Sequence, residues 1–353
     1  GMGLLAARLA AITPGELDHA FYSDDGSTAV EVSLKMAAQY WRNKGDENRS
    51  LFVSMTNSYH GDTFGAMALG GSPVFHANFS DFLFPVRRFD CTREESRAST
   101  PAASLEAPSD GSLEGILQRE GDRVAAVIIE PVLQGAGGMI LWPNESLVEI
   151  RELCDRYGTL LIADEVFTGF GRTGRLFACE HGPVVPDIIC LSKALTAGYM
   201  PLAVTLSTAE IYNSFLSEDR GKTFFHGHSY TANALACAVA LESLDILEDE
   251  NILGRISRME ELFKERLQKL ESLPVVHSTR AIGSLAAMDV VVGEPGEGGY
   301  LDAIGPRLYA EFLKRDILLR PLGNVLYFLP PYVITDEEIH RVFDAIEEVL
   351  GGL

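Results

Sequence analysis

The chain of 353 residues is 46% hydrophobic and 22% charged, the balance of a globular protein too long for one comfortable core, so two packed units are expected. Its 29 Lys and Arg against 50 Asp and Glu leave a formal charge of −21, which argues against a nucleic-acid footprint and against anionic membrane surfaces. Five cysteines, odd in number and without a CxxC pair, indicate neither a disulfide framework nor a zinc site and fit a reducing, cytoplasmic setting, and no apolar run reaches transmembrane length.

In chain order, SDDGSTAVEVSLKMAAQYW at 23–41 opens the pattern, with Gly26-Ser27 leading into a helix expected over Thr28 to Trp41. A helix N-terminus preceded by glycine offers free backbone N–H groups and a positive dipole end, which suits a phosphate, although Asp-Gly-Ser is also ordinary turn and cap chemistry. The strand LFVSM at 51–55 follows, then NSYHGDTFGAM at 57–67. There either Tyr59 or His60 could stack on a planar ligand, while packing in the core is the ordinary fate of such a pair. CTREESRASTPAASLEAPSDGS at 91–112 is Ser/Ala/Pro-rich and non-periodic, and reads as a surface loop.

Next come VAAVIIE at 124–130, a helix over Leu147 to Tyr157, TLLIAD at 159–164, IICLS at 188–192 and LAVTL at 202–206. Short β-branched runs alternating with helices predict an α/β fold with a mostly parallel sheet. From Ala232 to Leu273 the pattern turns helical and charged, and predicts a connecting helix. The remainder, with SLAAMDVVV, VLYFLPPYVI and helices near 301–314 and 336–350, predicts a smaller α/β unit. The division is placed at residues 1–250 and 251–353.

Ligands in open α/β sheets collect at the carboxyl ends of the strands. There TLLIA ends in Asp164-Glu165 and IICLS ends in Lys193, a lysine among apolar and small neighbours. Singly, a strand-end Asp is a helix cap and a lone Lys snorkels at the surface. Together they suit a lysine that forms a Schiff base with pyridoxal phosphate and a carboxylate that holds the pyridine nitrogen protonated. His226-x-His228 has no further ligand nearby, so no metal site is expected.

The ordered motifs DGS, YHGDTFGAM, IIEPVLQGAGGM, LLIADEVFTGFGRTG, LSKALTAGYMPLAV and FFHGHSYTANALACAVALE resemble the class III, fold-type I pyridoxal-phosphate aminotransferases. The resemblance runs from about Phe21 to the C-terminus. Within that family the wording is most similar to the branch that aminates 8-amino-7-oxononanoate in biotin synthesis. The rival branches act on ornithine, acetylornithine or ω-amino acids; a truncated, non-catalytic homologue is the other alternative.

By motif, the resemblance implies that Lys193 carries the cofactor and Asp164 partners its ring nitrogen. It implies that Gly26 and Ser27 form the phosphate cup, that Tyr59 stacks on the ring and borders the substrate, and that Glu130 lies close to the ring. The motif Gly227-His228-Ser229 implies a homodimer with shared sites, Ser229 serving the neighbour's phosphate and Gly227 bordering substrate. Arg320 and Arg172 match the arginines near the substrate, Arg320 binding its carboxylate. The substrates implied are a small-molecule amino donor, S-adenosylmethionine or lysine, and a keto acceptor.

Two departures follow from the same comparison. The family commonly reads Asp-Ser-Gly-Ser where this chain has Asp24-Asp25-Gly26-Ser27, so Asp25 adds an acid beside the phosphate position. Relatives are also expected to carry, ahead of the residue where this sequence starts, a segment that supplies aromatic walls of the pocket.

Overall fold

The computed structural model describes residues 1–91, 111–292 and 301–353; most of the Ser/Ala/Pro-rich stretch expected to be a loop lies outside them. A seven-stranded sheet runs β1 (His19–Ser23), β9 (Ala203–Ser207), β8 (Ile188–Leu191), β7 (Leu160–Asp164), β4 (Val124–Ile129), β2 (Leu51–Met55) and β3 (Val86–Phe89) from edge to edge. All neighbours from β8 to β3 pair parallel. The expected strand LAVTL, as β9, is antiparallel to both β8 and β1, so the sheet is mostly rather than wholly parallel. Edge strands β1 and β3 were not picked out of the sequence, because their half-buried residues lack the unbroken apolar run of a central strand.

Such a run marks a strand covered on both faces. Along β4 every residue is buried. Val127 and Ile129 pack into one apolar layer with Trp142, Leu147 and Ile150, and Ala126 and Ile128 into the opposite layer with Ala29, Val30 and Ala37. These last three lie on helix α2 (Gly26–Asn43). Two-residue strands β5 (Leu133–Gln134) and β6 (Ile140–Leu141) form a small antiparallel ribbon after β4. Helix α1 (Met2–Ile12) packs Leu5 and Leu9 under β1 and β9.

The helical region after Ala232 is two helices, Ala234–Asp249 and Ile252–Leu270, rather than one. Between them Asn251 takes φ 49°, the left-handed conformation that Asn tolerates best among residues bearing a side chain and that no helix can continue through. Beyond it, antiparallel strands β10 (Val276–Ile282), β11 (Leu285–Val290) and β12 (Val325–Phe328) form a separate sheet. Phe263, Phe312, Phe328 and Phe343 fill the space between that sheet and its helices. Helix Asp336–Gly351 starts on a reciprocal cap between Thr335 and Glu338, the Thr-x-x-Glu signature of a helix start. Among the described residues no helix is long and apolar enough to cross a membrane.

Candidate active site

Parallel pairing brings the functional side chains to one edge. Asp164 is in register with Cys190, so the end of β7 lies beside the end of β8, and two residues later the chain turns at Ser192 into Lys193. Lys193 adopts φ 43°, a strained conformation for a residue with a side chain and one that functional sites retain. These ends, the turn after β2 and the start of α2 enclose a cavity of about 600 Å³, lined among others by Gly26, Ser27, Tyr59, Glu130, Asp164 and Lys193. Those six residues, singled out in the sequence, are therefore together.

At the base, Asp164 is buried and fully engaged. Its Oδ1 accepts from the backbone N–H of Val166 at 3.1 Å, and its Oδ2 lies 2.7 Å from Nδ1 of His60. His60 is buried too, and its Nε2 has no hydrogen-bond partner among the described residues. The Tyr59-His60 pair thus divides its work: His60 braces Asp164, while Tyr59 lines the cavity and meets Phe75 edge to face. The residues alone left that division open and the resemblance spoke only for Tyr59; the bracing by His60 was not foreseen, its one signal being a histidine next to an aromatic just past a strand end.

Glu130 follows β4 directly. It accepts the N–H groups of Tyr59 at 2.9 Å and Gly135 at 3.0 Å, and so ties two walls of the cavity together. Burial raises its pKa to about 7; His60 and the two N–H donors act to lower it and Asp164 to raise it further. Lys193 is accessible through the cavity mouth, yet enough protein surrounds its amine that loss of water lowers its pKa. Asp164 and Glu130 oppose that fall and Arg172 adds to it. The amine lies 5.1 Å from the centre of the Phe167 ring.

The other end is the N-terminus of α2. Asp25 is its cap: the carboxylate accepts from Thr28 N and the Thr28 hydroxyl returns to the Asp25 backbone. The extra acid therefore occupies a helix-capping position rather than standing free, although Asp25 still borders the cavity. Ser27 Oγ sits 2.7 Å from Thr63 Oγ1 and accepts from Thr63 N at 3.0 Å. A Cβ on Gly26 would fall 2.5 Å from Val166 Cγ1, and one on Gly61, which has φ +130°, 2.3 Å from Ser27 Oγ. Only glycine at both places keeps this cradle open.

Four other expected site residues are not among those lining the cavity. Arg172 donates to Ser284 Oγ at 2.7 Å and to Pro330 O at 3.4 Å, and its guanidinium stacks over Tyr332 at 4.7 Å. It thus bridges the large sheet to the C-terminal unit, and burial lowers its pKa. Arg320 is exposed, two residues before the cavity-lining Leu322. Gly227 and Ser229 lie in an exposed loop, with His228 Nε2 3.5 Å from Asp24 Oδ1. Among the described residues no group of three His, Cys, Asp or Glu could hold a metal ion.

The family Aminotransferase class-III matches residues 2–350 of the chain. The chain belongs to the class III aminotransferases. As a class III aminotransferase it is a pyridoxal-phosphate-dependent transaminase of the fold-type I architecture. It is 47% identical to adenosylmethionine-8-amino-7-oxononanoate aminotransferase of Geobacter sulfurreducens, over 99% of this chain and 79% of that protein. It is 46% identical to the protein of the same name from Synechococcus elongatus, over 99% of this chain and 80% of that one. Among solved structures, the enzyme of that name from Methanocaldococcus jannaschii superposes with a TM-score of 0.90 at 38% identity, covering 99% of this chain and 78% of the other. A PLP-bound amine transaminase from an uncultivated Pseudomonas species gives 0.86 at 35% identity, covering 98% and 80%.

Proposed function

We infer that this transaminase aminates 8-amino-7-oxononanoate to 7,8-diaminononanoate in biotin biosynthesis. The observation that carries the substrate reading is 47% identity across 99% of the chain to a protein named for that reaction. Arg320 supports it. This exposed arginine has no hydrogen-bond or ion-pair partner among the described residues and lies two residues before Leu322, which lines the cavity together with Ala136 and Met139. An unpaired planar cation two residues from an apolar cavity wall suits an aliphatic acid whose carboxylate lies far from the reacting carbon.

The residues present fit pyridoxal phosphate: a helix N-terminus and cradle for a phosphate, a buried braced carboxylate for a ring nitrogen, and an amine lining the same cavity. When bound, the cofactor supplies an electron sink for breaking bonds at the amine-bearing carbon. Gly26 and Ser27 would hold its phosphate, with the Ser27 hydroxyl turned from Thr63. Asp164 would hold its ring nitrogen, kept in place by His60 and the Val166 N–H. Tyr59 would cover the ring and Glu130 would fix the Tyr59 backbone.

Lys193, with its pKa lowered by burial, is the group that takes up and returns a proton at Nζ. The donor is S-adenosylmethionine in this reading, after the relatives' name. The active unit is a cytoplasmic homodimer in which the exposed loop with Gly227 and Ser229 enters the partner's site. Exposed Phe225, Tyr230 and Leu235 around that loop are the apolar surface such a contact would cover. Residues 1–250 are taken as the cofactor-binding domain and 251–353 as the smaller one.

The test is Arg320→Lys in the two half-reactions. The expected result is a Michaelis constant for 8-amino-7-oxononanoate raised by about tenfold or more, the effect of losing a bidentate charge-assisted pair, with cofactor absorbance and the donor half-reaction unchanged. Equal loss in both halves, or none in either, would return Arg320 to a structural role and remove this support for the substrate.

A further inference from the structure

The cavity wall at 135–139 is held by a side chain from outside the large sheet. Gly135, Ala136 and Met139 line the cavity, and the turn closes through Met139 N donating to Gly135 O at 2.9 Å. Met139 is buried and adopts φ 54°, a left-handed conformation that a residue with a side chain keeps only when its surroundings impose it. The carbonyls on either side of that strain are bound by Arg280 of β10. Its Nε donates to Met139 O and its Nη2 to Gly138 O, both at 2.7 Å.

The guanidinium is itself fixed. Nη2 also donates to Asp289 Oδ1 at 2.9 Å, and Nη1 to Ser278 O at 2.6 Å. The Asp289 side chain is 2% exposed and that of Arg280 14%. A shift in the β10–β11 register between His277 and Arg280 frees this arginine from regular strand alternation. Each nitrogen of the fork thus has a partner, and two of the three nitrogens hold the wall.

The geometry points to Arg280 as a positioning residue that sets the substrate-facing wall through Gly138 and Met139, with Asp289 anchoring it. The consequence is a specificity role: the clamp fixes the apolar surface against which the chain of a long aliphatic substrate lies, and leaves a short substrate indifferent. This rests on the cavity being the site of amino transfer. It couples the C-terminal sheet to the shape of a pocket built mainly by the large one.

The experiment is Arg280→Lys in the holoenzyme. Lysine keeps a positive charge beside Asp289, so the buried acid retains a partner, but it cannot donate to both carbonyls from one rigid plane. Hydrogen exchange of the segment 133–141 should accelerate on the order of tenfold, as expected for losing one hydrogen bond to a charged group, while 51–60 is unchanged. In single turnovers of the amino-loaded enzyme, half-saturation by a long unbranched keto acid should rise by a similar factor and that by pyruvate should not move. In a Met139→Ala background the same substitution should change long-acceptor half-saturation less than about twofold, since two residues acting as one unit are not additive.

Unchanged exchange at 133–141 would overturn the proposal, as would an equal loss for short and long acceptors in both backgrounds. The exchange result does not depend on which acceptor is natural, so failure of the clamp and failure of the substrate reading give different outcomes.

Discussion

Replacing Glu130 by Gln tests the electrostatics of the cavity without touching Lys193 or Asp164. Burial shifts the Glu130 carboxyl from an ordinary 4.5 to about 7. At about 1.4 kcal/mol per unit, the folded protein pays about 3 kcal/mol to keep that group ionised. Below pH 4.5 the group is protonated in folded and unfolded chains alike, and the penalty is absent. Between 4.5 and 7 the unfolded chain loses its proton first, so stability falls as pH rises; above 7 the full penalty stands.

Glutamine cannot ionise, and its single amide oxygen can accept from Tyr59 N–H or Gly135 N–H but not both, a loss of about 1–3 kcal/mol that does not vary with pH. Chemical denaturation of cofactor-free wild type and Glu130→Gln across pH 4.5 to 8 should therefore show the variant gaining on the wild type by about 3 kcal/mol over the interval. Titrating groups that do not interact with Glu130 are common to both proteins and cancel. A difference that stays constant with pH, or that moves in the wild type's favour, would refute the assignment of a raised pKa to Glu130.

Asp164→Asn should still bind cofactor but lose about 3 kcal/mol of transition-state stabilisation, roughly a hundredfold in turnover, as expected for a missing charge-assisted hydrogen bond in a dry site; near-normal turnover in a folded variant would be incompatible with its role. Mixing Ser229→Ala subunits with Lys193→Ala subunits should restore activity well above either parent, because half of the sites in the mixed dimers then carry neither lesion. No recovery despite demonstrated subunit exchange would count against shared sites.

Much of the cofactor end was legible because strand ends are. Asp164 and Lys193 each terminate an apolar run, and parallel pairing leaves such ends no place but one edge of the sheet. Gly26 and Ser27 were legible as a helix start, but the direction of Asp25 was not: whether an acid caps a helix or faces a ligand depends on a local hydrogen bond to Thr28 that several conformations could satisfy. The partner of His60 lies 104 residues away and that of Arg280 141, and no periodicity encodes a contact between elements that far apart. Arg172 was read from its motif as a substrate group, and the structure adds its bridge to Ser284 and Pro330. The long helix expected after Ala232 failed at one residue, Asn251, whose left-handed turn leaves the helical periodicity intact on both sides.

The most direct measurement is a single turnover of the amino-loaded enzyme with 8-amino-7-oxononanoate, product followed by mass spectrometry, in wild type and in Lys193→Ala carrying the same cofactor. Wild type should form 7,8-diaminononanoate within one turnover, and Lys193→Ala should form it slower by about three orders of magnitude or more, the contribution of a positioned general acid–base. Product from an ornithine- or ω-amino-acid-derived acceptor in place of 8-amino-7-oxononanoate, or equal rates in the two proteins, would contradict the assignment of this substrate to Lys193.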